Sequence, residues 1–208
     1  SHLSRDLFEG LVIINVDGEM ESRLAKSWES DDFITWRFKL KDDAVWSNGE
    51  SLTAHDFEYA WKRLVDPATG SPYASYLQYA HFANVDEIIN GEMPADALGV
   101  RALDDETLEI TLTTAVPYLP KLLAHTAMAP VPRNTIEQYG DQWTNPGKFV
   151  ANGAYKLKAW QVNEYILLER NTHYWDNAPT VIDEVTFLPI TSEVTEAQRY
   201  RAGAIDVT

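Results

Sequence analysis

Residues 46–79 read WSNGESLTAHDFEYAWKRLVDPATGSPYASYLQY, and the rest of the predicted fold is organised around them. The Asn-Gly pair at 48–49 indicates a turn. Thr53, followed three residues later by Asp56, predicts a capped helix start. The helix should end near 66–67, because proline disfavours the helical conformation of the residue before it. The apolar side chains that share one face of this helix are Phe57, Trp61, Leu64 and Val65.

The loop that follows, residues 71–79, contains three tyrosines and few charges. Tyr73, Tyr76 and Tyr79 do not fit a single helix or strand face. Two interpretations therefore stay open for each ring. It is either packed on its own domain with its hydroxyl hydrogen-bonded, or it is presented to a ligand.

Composition excludes several classes of function. The chain has 208 residues, with 17 basic and 32 acidic side chains and a net charge of −15. A nucleic-acid partner and an anionic membrane surface are therefore not expected. The absence of cysteine excludes disulfides, thiolate metal sites and cysteine nucleophiles. No run approaches the ~20 apolar residues of a membrane helix. The length suits one large domain or two small ones.

Hydrophobic periodicity predicts a mixed chain of helices and strands. The segments predicted as strands are 11–16, 34–40, 100–103, 107–112, 155–160, 165–169 and 185–190. The further segments predicted as helices are 5–8, 85–90, 117–125, 134–140 and 192–203. The Asp-Gly pair at 17–18 predicts a hairpin, and residues 24–29 are interpreted as a connector. Asn134 and Glu137 resemble a capping box.

The end of the chain predicts a βαβ unit. In this interpretation residues 204–207 form a strand parallel to 185–190, with a right-handed crossover through the intervening helix. A parallel strand needs buried neighbours on both faces, so we expect this chain to be part of a longer protein. The prolines between 129 and 132 exclude a helix interior and mark the expected domain crossing.

The sequence contains no motif for covalent chemistry. G-x-S-x-G, H-E-x-x-H, phosphate-loop and EF-hand patterns are all absent, so no catalytic residue, metal ligand or cofactor is predicted. His55 is interpreted as a surface or capping residue, and His125 as a group favoured in its charged form at a helix C-terminus. The adjacent carboxylates lie at 31–32, 42–43, 104–105 and 183–184. We attribute them to solvated turns, with a secreted carbohydrate-active hydrolase kept as the alternative.

Several segments together resemble the family 5 extracellular solute-binding proteins, the peptide- and nickel-binding receptors of ABC importers. The segments that carry the resemblance are 24–29, 35–41, 44–49, 52–57, 71–79, 152–157, 169–171, 174–176 and 203–206. They extend over nearly all of the chain. Residues 71–79, SPYASYLQY, are similar to the oligopeptide-binding branch, which includes the murein-tripeptide receptor.

The resemblance implies an α/β (mixed α+β) fold like that of type II periplasmic binding proteins. It implies a small second domain at 9–132, part of the first domain at 1–8 and 133–208, and a third domain outside this chain. Tyr73 is the position implied to face a peptide held between two lobes. The implied receptor is a periplasmic monomer, free or lipid-anchored, that delivers short peptides to ABC permease subunits. A family member that binds a non-peptide ligand is the other alternative.

Overall fold

The computed structural model describes residues 2–208 and shows a chain of short helices and antiparallel sheets. Within those residues the α-helices are α1 His2–Leu7, α2 Ala54–Val65, α3 Tyr76–Tyr79, α4 Val85–Ile89, α5 Leu119–Leu122, α6 Arg133–Tyr139 and α7 Glu193–Arg201. The strands are β1 Val12–Ile14, β2 Met20–Ser22, β3 Ala25–Glu29, β4 Thr35–Leu40, β5 Val100–Asp104, β6 Thr107–Thr111, β7 Tyr155–Gln161, β8 Tyr165–Arg170 and β9 Glu184–Phe187. The mixed α+β class is as predicted.

The central sheet has the strand order β3-β4-β6-β5, with antiparallel pairing throughout. The period-2 pattern of β4 places Trp36, Phe38 and Leu40 in the core, as predicted. Arg37 lies on the opposite, solvent face, where its Nε donates to Glu109 Oε2 at 3.0 Å. The sheet therefore buries one face and exposes a charged one.

Helix α2 packs on this sheet against β5 and β6. The Thr53 backbone N–H donates to Asp56 Oδ2 at 2.9 Å, so the predicted cap forms. Phe57 and Trp61 are fully buried, in the predicted register. Burying each such side chain contributes about 1.5–3 kcal/mol. The helix ends at Val65, directly before the Asp-Pro pair.

The interpretation of residues 24–29 as a connector was wrong. Ala25–Glu29 form β3, which pairs with β4 through contacts such as Trp28 opposite Phe38. The two rings stack with centroids 6.1 Å apart. A five-residue strand with one half-buried aromatic residue has too little alternation to be recognised, and its pairing partner determines its conformation.

Three further local predictions were wrong for identifiable reasons. Helix α6 begins at Arg133 directly after Pro132, so Asn134 lies inside its first turn. Glu137 pairs with Arg133 at 2.8 Å instead of completing a capping box. The predicted helix 117–125 is confined to α5, Leu119–Leu122, and a 3-10 turn, Thr126–Met128, follows it. Residues 204–207 form no strand, because none of the residues 2–208 supplies them with a ladder partner.

Two clusters of buried apolar residues divide the interior. The larger cluster surrounds α2 and the central sheet, and extends from Leu11 to Met128 with the addition of Val150. The smaller cluster consists of Leu7, Ala151 and Leu168 against the three-stranded sheet β7-β8-β9.

The segment around Asn152 joins the two clusters. The side-chain Oδ1 of Asn152 accepts from the Glu9 N–H at 3.2 Å, and the Asn152 Nδ2 donates to the Glu9 carbonyl at 2.9 Å. The Leu7 carbonyl accepts from the N–H groups of Asn152 and Gly153 at 3.2 and 2.9 Å. These bonds fix the chain where it passes between the two cores.

Glu9 also places a buried carboxylate at this joint, with an exposed fraction of 8%. Tyr174 Oη donates to one oxygen at 2.8 Å and Trp175 Nε1 to the other at 2.5 Å. Arg23 Nε lies 3.5 Å from Glu9 Oε1, and the Lys41 ammonium stands 3.0 Å from the centre of the Trp175 ring. Burial raises the pKa of Glu9 even though these donors and charges favour the carboxylate.

Candidate ligand-binding site

The tyrosine-rich loop is folded into a compact turn that exposes one ring. Ser71 Oγ accepts from the Tyr73 N–H at 3.2 Å, and the Tyr73 carbonyl accepts from the Tyr76 N–H at 2.9 Å as α3 begins. The exposed fraction of Tyr73 is 52% and that of Tyr79 is 72%, whereas Tyr76 is half-buried. The three tyrosines therefore take different roles, which the sequence alone left open.

Tyr76 is a packing residue. Its hydroxyl donates to the Leu122 carbonyl at 2.8 Å, and its ring stacks on His125 with centroids 4.4 Å apart and planes at 25°. Burial raises the pKa of the Tyr76 phenol, so it remains a neutral donor at physiological pH. This hydrogen bond connects α3 to the end of α5. Tyr76 therefore fits the first of the two interpretations, a tyrosine packed on its own domain with its hydroxyl hydrogen-bonded.

His125 forms the centre of the cluster. Its backbone N–H donates to the Leu122 carbonyl at 3.2 Å, and its Nδ1 accepts from the Ala127 N–H at 3.1 Å. An accepting Nδ1 requires the neutral ring with the proton on Nε2. Burial, with the positive charge of Arg5 in addition, lowers the pKa of His125. The expectation that a helix C-terminus favours the charged form was therefore wrong at this position.

Tyr73 lies beside this stack. Its ring centroid stands 5.6 Å from that of His125, with the planes at 47°, and its outer half faces solvent. Tyr118, the residue directly before α5, has an exposed fraction of 54%. An exposed aromatic ring on a fixed support offers an apolar face and a polar hydroxyl to a ligand. Sequence reasoning named both Tyr73 and His125 but missed their contact, because the two residues lie about fifty positions apart.

The acidic pairs and the remaining histidines form ordinary surface structure. Asp32 Oδ1 accepts from the N–H groups of Ile34 and Thr35 at 2.9 and 2.8 Å, which is turn capping. His55 lies 3.6 Å from Asp105 at an exposed position, as its surface interpretation predicted. Among residues 2–208 no group of three or more potential ligands could hold a metal ion. None of the helices in that range has the length and apolar character needed to cross a membrane.

Comparison with solved structures identifies the fold. Haemophilus influenzae OppA in complex with RPPGFSPFR matches with a TM-score of 0.94 and 46% identity, over 98% of this chain and 40% of that chain. The Escherichia coli murein tripeptide binding protein MppA matches with a TM-score of 0.94 and 47% identity, over 97% of this chain and 39% of that one. The fold is thus that of periplasmic solute-binding proteins, type II-like as expected.

Sequence comparison then gives the family. The family model described as bacterial extracellular solute-binding proteins, family 5 Middle, matches residues 19–208. The chain belongs to this family, as its motifs indicated. The periplasmic oligopeptide-binding protein OppA of Salmonella typhimurium is 59% identical over 208 residues. This chain spans 38% of the length of that relative. The relatives are named as binding proteins, and the hydrolase alternative finds no support among them.

Proposed function

We propose that this chain is the amino-terminal part of a three-domain peptide receptor. Residues 9–132 would form the small second domain, and residues 1–8 with 133–208 would form part of the first. The two core clusters support this division, because the larger cluster is built mainly from residues 9–132 and the smaller one from residues 1–8 and 133–208. The share of 38% of the length of OppA supports the presence of further domains in the complete receptor.

The receptor captures short oligopeptides and delivers them to the permease subunits of an ABC importer. The observation that carries this proposal is 59% identity, along all 208 residues, with a protein named for oligopeptide binding. Relatives that are named periplasmic support a periplasmic location, in which the receptor acts as a monomer, free or lipid-anchored. Transport of this kind needs no catalytic residue and no cofactor.

The mechanism is closure of two lobes on the peptide. A ligand shifts a conformational equilibrium only by its differential affinity for the two states, so contacts made by both lobes favour the closed form. Tyr73 would supply one such contact from this chain. Its rigid ring loses little conformational freedom when it is covered, which favours aromatic residues at binding surfaces.

Native mass spectrometry tests the proposal most directly. The complete receptor, purified gently from cells, should carry masses that dissociate into short peptides, while the 208-residue chain alone should carry none. A complete receptor that arrives empty and ignores added tri- to pentapeptides would exclude the peptide assignment. The non-peptide alternative would then account for the scaffold shared with these relatives better than peptide transport does.

The substitution Tyr73→Ala tests the site itself. We expect peptide affinity of the complete receptor to fall about 5- to 30-fold, the range of ~1–2 kcal/mol typical of a single interface aromatic. The melting temperature should stay nearly unchanged because the ring is half exposed. Tyr79→Ala is the matched control, since Tyr79 is still more exposed and lies in the same segment. Unchanged affinity with a large loss of stability would identify Tyr73 as a packing residue.

A further inference from the structure

The orientation of the Tyr73 ring depends on what lies beneath it. Its own backbone belongs to a solvent-exposed turn, held by the Ser71 hydroxyl. Its ring lies against His125, at a centroid distance of 5.6 Å. An exposed tyrosine samples several rotamers unless packing selects one. His125 is therefore the group placed to select the conformer of Tyr73.

His125 is itself held from several sides. The Tyr76 ring covers one face at 4.4 Å, and the Ala127 N–H points at Nδ1 from 3.1 Å. The Leu122 carbonyl receives both the His125 N–H and the Tyr76 hydroxyl. This arrangement fixes the position of the imidazole ring and requires its neutral tautomer.

Protonation of His125 would disrupt the arrangement. A proton on Nδ1 would face the Ala127 N–H, so that hydrogen bond would be lost and two donors would oppose each other. Within residues 2–208, the positive charge of Arg5 in α1 also disfavours a charged His125. The titratable groups that face it from residues 71–80 are the phenols of Tyr73 and Tyr76. Among residues 2–208, the groups that shift the pKa of His125 include no carboxylate that would compensate the imidazolium.

We propose that His125 is a positioning residue for peptide binding, whose neutral ring holds Tyr73 in its ligand-facing orientation and whose protonation weakens the affinity for peptide. The assignment rests on the proposed function, since it concerns the same surface. It adds a residue that contacts Tyr73 and does not need to contact the peptide. It also predicts a direction: the receptor binds more tightly at neutral pH than in an acidified periplasm.

Isothermal titration of the complete receptor with an uncharged-side-chain tetrapeptide, at several pH values from 7.5 to 5.0, tests the assignment. The wild type should lose affinity for the peptide as the pH falls below the ordinary histidine pKa near 6.5. Protonation of His125 breaks its hydrogen bond with the Ala127 N–H and displaces the ring that supports Tyr73. The loss cannot exceed that of Tyr73→Ala, roughly 5- to 30-fold, since Tyr73 is the group released. His125→Phe retains an aromatic support without a titrating nitrogen, so its affinity should lack this pH-dependent component.

Two further variants separate positioning from folding. His125→Ala removes the support and should weaken binding at every pH, by about as much as Tyr73→Ala. His125→Asn keeps an acceptor for the Ala127 N–H, so it should fold even if the phenylalanine variant does not. His55→Phe is the control, because His55 is an exposed histidine at the start of α2. It should leave the pH profile of the wild type intact.

The outcomes distinguish the two proposals. A wild type that binds no tri- to pentapeptide at pH 7.5 overturns the proposed function, and the assignment of His125 with it. Peptide binding that persists unchanged in His125→Ala overturns the assignment alone. The same holds if the wild type and His125→Phe lose affinity in parallel as the pH falls, because the titrating group would then lie elsewhere.

Discussion

Replacing Trp61 with alanine tests the packing of α2 on the central sheet. Trp61 is fully buried, and its ring meets Phe57 and Phe82 edge to face, with centroids 5.8 and 5.6 Å away. Its Nε1 donates to the Met128 carbonyl at 3.0 Å. The substitution therefore removes a large apolar volume, two aromatic contacts and one buried hydrogen bond together.

The expected cost follows from these losses. A buried tryptophan truncated to alanine costs about 3–5 kcal/mol. An acceptor left unpaired in the interior costs about 1–3 kcal/mol, and each edge-to-face pair contributes about 0.5–1.5 kcal/mol. These contributions overlap, so we expect a loss of about 4–5 kcal/mol, near the upper end of the range for truncation. A loss of that size is a large fraction of the ~5–15 kcal/mol that stabilises a typical domain.

Urea denaturation of the chain, followed by far-UV circular dichroism, measures the free energy of unfolding. Trp61→Phe should lose about 1–3 kcal/mol, because it removes the hydrogen bond and retains an aromatic ring. Trp160→Ala is the matched control: Trp160 is 47% exposed, so its loss should stay within about 0.5 kcal/mol. A cost below ~1.5 kcal/mol for Trp61→Ala at an unchanged m-value would refute the packing described here.

Two further predictions concern the joint between the cores. Gly153→Ala should lower the free energy of unfolding by about 1–3 kcal/mol or more, because an added Cβ would stand 2.4 Å from the Asp6 carbonyl oxygen. Gly10→Ala is the control: its Cβ would meet no atom closer than 3.7 Å, so it should cost under ~1 kcal/mol in the same urea assay. The raised pKa of Glu9 means that its contribution to stability is present below the ordinary value of 4.5 and is lost as pH rises through the folded pKa. The free energy of unfolding of the wild type minus that of Glu9→Gln should therefore fall between pH 4.5 and 7. A rise over this range would contradict a raised pKa for Glu9.

Local chemistry was sufficient to predict much of the fold. The cap at Thr53 and the alternation of Ile34–Leu40 each depend on residues within one element, and both appear as predicted. The hairpin around Asp17-Gly18 likewise forms, with Asn15 Oδ1 accepting from the Glu19 N–H at 2.8 Å. In each case the interactions that decide the conformation lie a few residues apart, so the sequence contains them in readable form.

The elements that sequence reasoning missed depend on distant partners. Strand β3 exists because β4 is beside it, and its own residues carry no strong pattern. The joint around Glu9 brings residues 9, 152 and 174 together across more than a hundred positions, and no spacing rule links them. A buried carboxylate in particular is unpredictable from composition, because glutamate is almost never fully buried unless it is paired.

The candidate site shows the same division within a single residue. Judged by its place at the end of a predicted helix, His125 should favour a positive charge. The helix ends at Leu122 instead, and the imidazole turns to accept the Ala127 N–H beneath the Tyr76 ring. Burial beneath Tyr76 and this local hydrogen bond to the Ala127 N–H together reverse the expected charge preference. It also explains the different roles of the two tyrosines: the hydroxyl of Tyr76 is committed to the protein, and Tyr73 keeps its outer face for a ligand.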